Sequence, residues 1–438
     1  MLSNPVLISV AVMIILSLLK LNILLALIIA ALAGGLISGM SIVDTMDTLI
    51  GGMGKNSETA LNYILLGALA AAIQKTGAAK IITQTLSRRM KGTGKLLIFI
   101  IALISIFSQN LIPVHIAFIP ILIPPLIPVM NKLKIDRRAV ASALTFGLKA
   151  PYIVIPAGYG LIFHNIIRKE MATSGLALNG LKIWQVMWIP GLAMVVGLLV
   201  AVLITYRKPR EYQNESPNLT GSEMNEANDP HVVFNKNHAF AIIGAVAALI
   251  VQLTVGSLVL GAILGLAIMI ISGAIKWSDI DDMIRSGIGM MGFIAFVMLV
   301  ASGYGDVIRA TGGVDTLVAS VVGLIGTNKL VAATCMIVLG LLITLGIGTS
   351  FGTIPIIAAI YVPLATELGF SAIAIVLLIG SAAALGDAGS PASDSTLGPT
   401  AGLNIDHQHD HIWDTCVPTF LHYNIPIMIF GIVGAMIL

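Results

Sequence analysis

The chain has 438 residues, 57% of them hydrophobic and only 10% charged. A soluble domain carries about 25% charged residues, and a soluble body this apolar could not cover its surface with polar groups. Soluble enzymes, disulfide scaffolds, nucleic-acid binders and disordered chains are therefore excluded. The net charge of +3 says little by itself, and two Cys cannot build a disulfide framework. What remains is a polytopic membrane protein.

A bilayer-crossing helix needs roughly 20 mostly apolar residues. In chain order the candidate spans are 4–20, 22–40, 58–75, 139–165, 184–206, 238–254, 256–275, 290–305, 370–403 and 411–438. No small-residue cleavage site follows the first, so it reads as a span rather than a signal peptide. Two further apolar stretches, 94–130 and 329–367, are interrupted by polar tips, Ser108-Gln109-Asn110 and Gly348-Thr349-Ser350-Phe351-Gly352-Thr353. Both are expected to be re-entrant hairpins, since irregular backbone at that depth needs protein or a water-filled cavity to satisfy it. The alternative is that each is a pair of closely spaced full spans. The loops 20–22, 75–95, 131–138, 206–238 and 276–287 hold most of the Lys and Arg. That bias places them in the cytoplasm and both termini outside.

The sequence repeats itself. Ile73, Thr76 and Gly77 return as Ile308, Thr311 and Gly312. Ile50-Gly51 and Met53-Gly54 return as Ile288-Gly289 and Met291-Gly292. Ser108 with Ile112-Pro113 returns as Ser350 with Ile354-Pro355, and Pro151 and Gly158 return as Pro391 and Gly398. The matches are collinear at nearly constant offset. They divide the chain into a first repeat, 1–205, a cytoplasmic linker, 206–237, and a second repeat, 238–438. Each repeat has five spans and one hairpin. Five is odd, so the second copy is inverted. The expected fold is an all-α polytopic membrane protein with two inverted repeats and broken helices, 139–165 and 370–403, at the midplane. Inverted repeats place substrate and ion sites at their interface, which points to a secondary transporter rather than an enzyme. A channel, a receptor and a membrane scaffold are the competing classes. No Walker A sequence is present.

Ionisable groups inside a membrane are costly and usually face a cavity or a partner. Lys149 lies in one broken span, beside Pro151. Asp387, Ser390, Pro391, Ser393, Asp394, Ser395 and Thr396 lie in the other. Carboxylates, hydroxyls and freed carbonyls are the hard ligands that a small cation needs, so Asp387 and Asp394 are the candidate Na+ ligands. The tips add Ser108, Gln109, Asn110, Thr349, Ser350, Gly352 and Thr353. Asp306 reads as an exposed residue near a span end, or else as an ion relay. His407, His409 and His411 read as a polar turn, with metal binding or pH sensing as the alternatives. His164 reads as a packing residue.

The motifs Gly348–Thr353 and Gly386–Thr396 resemble those of the NhaC-type Na+/H+ antiporter family in the ion transporter superfamily. The chain is most similar to the branch that includes amino-acid permeases, histidine permeases among them. The resemblance implies a homodimer that carries its site like an elevator. It also implies a location in the bacterial inner membrane. The dicarboxylate members carry Ser-Asn-Thr at both tips, which this chain does not. A zwitterion needs a cationic and an anionic partner, and Lys149 with Asp387 or Asp394 offers both. The expected function is amino-acid transport, with histidine suggested by the resemblance, driven by Na+ or H+. A Na+/H+ antiporter without organic substrate is the alternative. The expected partners are a small-molecule substrate, a coupling cation and the lipid bilayer, with no cofactor and no nucleic acid.

Overall fold

In a computed structural model of the chain, the described residues are 4–19, 21–78, 94–110, 119, 123, 126–213, 234–325, 328–347, 349–391 and 393–438. The described residues are almost wholly helical. The first half holds α1 (Pro5–Leu18), α2 (Ile23–Ile37), α3 (Ile42–Met53), α4 (Ser57–Lys75), α5 (Gly94–Asn110), α6 (Ile127–Lys132), α7 (Arg137–Val154), α8 (Tyr159–Thr173) and α9 (Trp184–Thr205). The second holds α10 (Lys236–Val255), α11 (Leu258–Ile271), α12 (Ile280–Ala310), α13 (Gly313–Ile325), α14 (Lys329–Ile347), α15 (Ser350–Glu367), α16 (Ala372–Ala384), α17 (Asp394–Leu403) and α18 (His411–Ile437).

Among the described residues, α9, α10, α15, α18 and the Met291–Ala310 part of α12 are long and apolar enough to cross a membrane. The pair α7 and α8 joins them as one span bent by 45°. Several expected spans, including those of α1, α2, α11 and α16, are shorter apolar helices. Large apolar side chains stand exposed along the outer helices, such as Ile243, Val246, Ile250 and Leu253 on α10 and Leu192, Val195 and Leu199 on α9. Such faces suit hydrocarbon and not water.

Polar caps set the helix starts. Ser41 accepts from the Asp44 amide, Ser371 from Ala374, and Asp136 from Arg138. Two elements differ from expectation. The loop at 40–57 contains the helix α3, and the span expected at 290–305 is the 31-residue helix α12. An amphipathic stretch too short to cross a bilayer escapes a span search, and charged ends hide the true length of α12.

The helices α3, α4 and α12 pack together closely enough to require glycine. A Cβ on Gly67 would stand 2.5 Å from the Gly287 carbonyl oxygen, and one on Gly303 would stand 2.2 Å from that of Leu49. The main core fills the space between the helices of both halves, and a smaller one lies among α4, α10 and α11. The consecutive helices α14, ending at Ile347, and α15, starting at Ser350, pack on each other. The tip Ser108-Gln109-Asn110 closes α5. Its side chains, and most of the second arm expected up to 130, lie outside the described residues.

Candidate functional site

Both spans expected to be broken are interrupted. Residues 155–158 separate α7 from α8, and residues 385–393 separate α16 from α17. Two glycines permit the second break. Gly386 (φ 82°) sits where a Cβ would meet the Leu345 amide at 2.9 Å, and Gly389 (φ 92°) sits where one would meet Phe420 at 2.5 Å. Substituted residues could neither adopt these angles easily nor fit. Asn424, buried in α18, holds the unwound chain. Its amide donates to the Ala388 carbonyl at 2.8 Å and accepts from the Gly386 N–H at 3.3 Å.

Asp387 stands in this break, 3% exposed. Three groups converge on its Oδ2: the Lys149 ammonium at 3.1 Å, the Tyr152 hydroxyl at 2.9 Å and the Ser350 hydroxyl. Tyr152 and Ser350 also touch, at 2.7 Å. Among the described residues, the other oxygen, Oδ1, meets the Ser393 hydroxyl alone, at 3.4 Å. One side of the carboxylate is thus closed by protein and the other is under-satisfied. Ser395 donates to the Asp387 carbonyl at 2.8 Å, and Thr145 donates to that of Ser395 at 2.8 Å. Thr396 bridges the carbonyls of Ser390 and Ser393 at 2.5 and 2.9 Å. Phe351 seats the centre in an aromatic cluster, with Tyr152, Tyr63, Phe163 and Tyr159 at 5.5, 5.7, 6.0 and 6.2 Å between ring centroids.

The sequence expectations divide here. Lys149, Ser350, Asp387, Ser393, Ser395 and Thr396 meet in one buried network. Lys149 and Pro151, however, lie inside α7 and not at a break, which begins at Ile155. Pro391, by contrast, lies in its break, so the two prolines do not occupy equivalent backbone. Thr353 bonds back to the Thr349 carbonyl at 3.0 Å, the usual habit of a threonine one helical turn on. Gly352 packs against Ile347. Asp394 opens α17 after its cap Ser393, half-buried, with its charge in electrostatic reach of Tyr159 and Tyr63. Tyr152 and Asn424 were not foreseen. Tyr152 lies three residues beyond Lys149, on the same helix face, and Asn424 is a polar residue within an apolar span. Those were the available signals.

Asp306 is not exposed. It pairs with Lys55 at 2.7 Å and Arg309 at 2.5 Å, its side chain 12% accessible, because these two basic residues converge on it. His164 donates to the Ile153 carbonyl at 2.8 Å, as a packing residue would. The histidine tract does not gather: no metal-holding cluster exists among the described residues. His409 shares a hydrogen bond with Thr415 at 2.7 Å, and His411 donates to the Pro391 carbonyl at 2.9 Å.

A second buried pair clasps α7 to the end of α17. Arg137 meets both oxygens of Asp406, at 2.6 and 2.5 Å, and also the Leu403 carbonyl and Asn131. Residues 206–213, the start of the linker, strap over it. Tyr212 lays its ring 4.2 Å from the Arg137 guanidinium, and Arg210 bonds Asp414 at 2.7 Å. Burial alone would raise the Asp406 carboxyl, but the hydrogen bonds and charge of Arg137 hold it below the usual range. Burial pushes the nearby His409 imidazole down to about 4.

The family model described as "Na+/H+ antiporter family" matches residues 143–434, and a second, "Na+-H+ antiporter family", matches 4–90. VP2115, a membrane protein of Vibrio parahaemolyticus, is 48% identical over 447 residues, 99% of this chain and 100% of that one. YuiF of Bacillus subtilis, a candidate amino acid transporter, is 48% identical over 450 residues, again 99% and 100%. Two solved transporters share the fold at 14% identity. They are YdaH of Alcanivorax borkumensis (TM-score 0.59, 89% of this chain and 87% of that one) and MtrF of Neisseria gonorrhoeae (0.60, 95% of each), the latter described within a class of antimetabolite efflux pumps. The chain is a multi-pass membrane protein and belongs to the Na+/H+ antiporter family, the NhaC-type group that its motifs resemble.

Proposed function

We propose that the chain is a secondary active transporter that moves an amino acid, histidine in the first instance, coupled to Na+ or H+. The observation that carries the reading is the half-closed Asp387 carboxylate. Burying an ion pair in a membrane costs free energy, and the pairs that occur there usually mark a functional site. Lys149 serves as a resident counter-ion on Oδ2. A zwitterion entering at Oδ1 presents its ammonium to Asp387 and its carboxylate to Lys149, replacing one ion pair by two. The coupling cation competes for the same oxygen, with Ser393, Ser395 and Asp394 as further ligands. The 48% identity to a candidate amino acid transporter supports the organic substrate.

The reading includes two inverted repeats, 1–205 and 238–438, with the linker 206–237 in the cytoplasm and both termini outside. It is supported by the paired close approaches of Gly67 to Gly287 and of Gly303 to Leu49. Each is the counterpart of the other at spacings like those of the sequence repeat. It also includes re-entrant hairpins, a homodimer and elevator motion, for which the Arg137–Asp406 clasp would keep α7 and α17 in one moving body.

The test is uptake of labelled histidine into proteoliposomes, with and without Na+ or proton gradients, and with other amino acids as competitors. Gradient-driven, competable uptake is expected. No uptake, with Na+-dependent collapse of an imposed pH gradient, would instead identify an antiporter without organic substrate.

A further inference from the structure

A second ionic cluster lies at the far end of the bent span from Arg137, at the C-terminal end of α8. Asp306 and Arg309 of α12 meet there with Lys55, Asn56 and Lys169. Lys55 bonds Asp306, Arg309 Nη2 bonds Asp306 Oδ1 at 2.5 Å, and Lys169 donates to Asn56 Oδ1 at 3.2 Å and to the Lys55 carbonyl. Glu170, only 2% exposed, stands beside Arg309, but its Oε2 is 3.9 Å from Nη2, too far for a hydrogen bond. An arginine–carboxylate pair that served only itself would close to about 2.7–2.9 Å. Instead, Glu170 Oε2, Arg309 Nη1 and Asn56 Nδ2 are all buried without a hydrogen-bond partner among the described residues. Native proteins rarely leave such atoms orphaned without a solvent or solute partner. Here the orphans are complementary, two donors and one acceptor. From this cluster α4 carries buried Thr59, Asn62 and Tyr63 inward, and Tyr63 touches Phe351 over the Asp387 centre.

We propose that Glu170, Arg309 and Asn56 form a second binding site, for a zwitterionic α-amino acid on its way to or from the centre. The carboxylate bonds Arg309 Nη1 and Asn56 Nδ2, and the ammonium bonds Glu170 Oε2. The choice of a zwitterion rests on the amino-acid reading above.

The test is equilibrium binding of a labelled mixture of the common amino acids to the purified full-length protein. Wild type, Asp387→Asn, Glu170→Gln and the double variant are compared. The expected result is two equivalents for wild type, one for each single variant and none for the double. Analogues lacking either the amine or the carboxylate should compete at least about tenfold more weakly at the Asp387→Asn protein. Asn56→Ala, which removes no charge, should weaken the same site and stands in if Glu170→Gln does not fold. One equivalent in wild type and none in Asp387→Asn would overturn this site and leave the amino-acid reading intact. No binding to wild type would overturn both. Equal competition by the des-amino analogue would make it a simple anion site and overturn the proposal.

Discussion

The same helix carries two buried cation–carboxylate pairs, and they are built for different ends. Arg137 meets Asp406 through a two-pronged fork that takes both carboxylate oxygens, and Gln408 and the Leu403 carbonyl complete the shell. Roughly three turns on along α7, Lys149 meets Asp387 at one oxygen and leaves the other to a 3.4 Å contact. A planar guanidinium suits a fixed joint, whereas a compact ammonium on a flexible stem can change partners. The closed pair fastens the frame. In the proposed reading, the open one has capacity to spare for a guest.

The largest expected effect falls on the closed pair. Arg137→Met leaves Asp406 buried and uncompensated, which should cost about 3–5 kcal/mol of stability. Thermal unfolding in detergent would measure it. Replacing both partners with apolar residues should recover most of that loss. If the single variant were as stable as wild type, the clasp would not fasten the frame.

The next effect reads the same region by pH. Burial keeps His409 neutral, with its pKa at about 4 against an ordinary value of 6.5. Between pH 6.5 and 4 the unfolded chain binds a proton there that the folded chain refuses. Stability is therefore full above that window and falls as pH drops through it, by up to about 3 kcal/mol. Asp406 is depressed by Arg137, so its contribution is lost only at lower pH, below the ordinary carboxylate range. His409→Gln should flatten the upper part of the profile and leave the lower part. An unchanged profile would show that His409 titrates freely.

At the open pair the effect moves from stability to transport. Asp387→Asn keeps the shape of the side chain and one acceptor oxygen for Lys149, Tyr152 and Ser350, but removes the charge and makes the other position a donor. Gradient-driven uptake should fall about a hundredfold, about 2.7 kcal/mol, while the melting temperature falls less than for Arg137→Met, since the Asn carbonyl still accepts from the stranded Lys149 ammonium. The opposite pattern, with lost stability and retained uptake, would make this pair a second clasp.

The contrast between the pairs was only half legible in the sequence. Lys149 and Asp387 announced themselves as charges within apolar spans, and the Gly-Ser-Pro run announced a break. Arg137 and Asp406 looked like ordinary residues of polar loops, because their burial depends on chain ends brought together from distant positions. The same holds in part for Asp306: Arg309 lies three residues on along α12, but Lys55 comes from the distant turn between α3 and α4. Helix breaks were visible through glycine and proline, but their exact residues were not. Pro151 is tolerated inside α7, and the first break begins four residues later. Tyr152 was hidden because a tyrosine in an apolar span is unremarkable until its hydroxyl finds a carboxylate.

The smallest effect separates the pairs most sharply, because each has a tyrosine. Tyr152 donates to Asp387 at 2.9 Å, and Tyr212 accepts from the Arg137 amide at 3.0 Å. Replacing either with Phe keeps the ring and removes one hydrogen bond, worth about 1 kcal/mol. Tyr152 fixes the carboxylate through Oδ2 and leaves Oδ1 facing Ser393. Its loss should raise the half-saturating concentration of the coupling cation about fivefold, the equivalent of about 1 kcal/mol, with little change in melting temperature. Tyr212→Phe should lower the melting temperature slightly and leave that concentration unchanged. If both variants shifted only the melting temperature, the open oxygen of Asp387 would be a structural accident, and the difference between the pairs would carry no function.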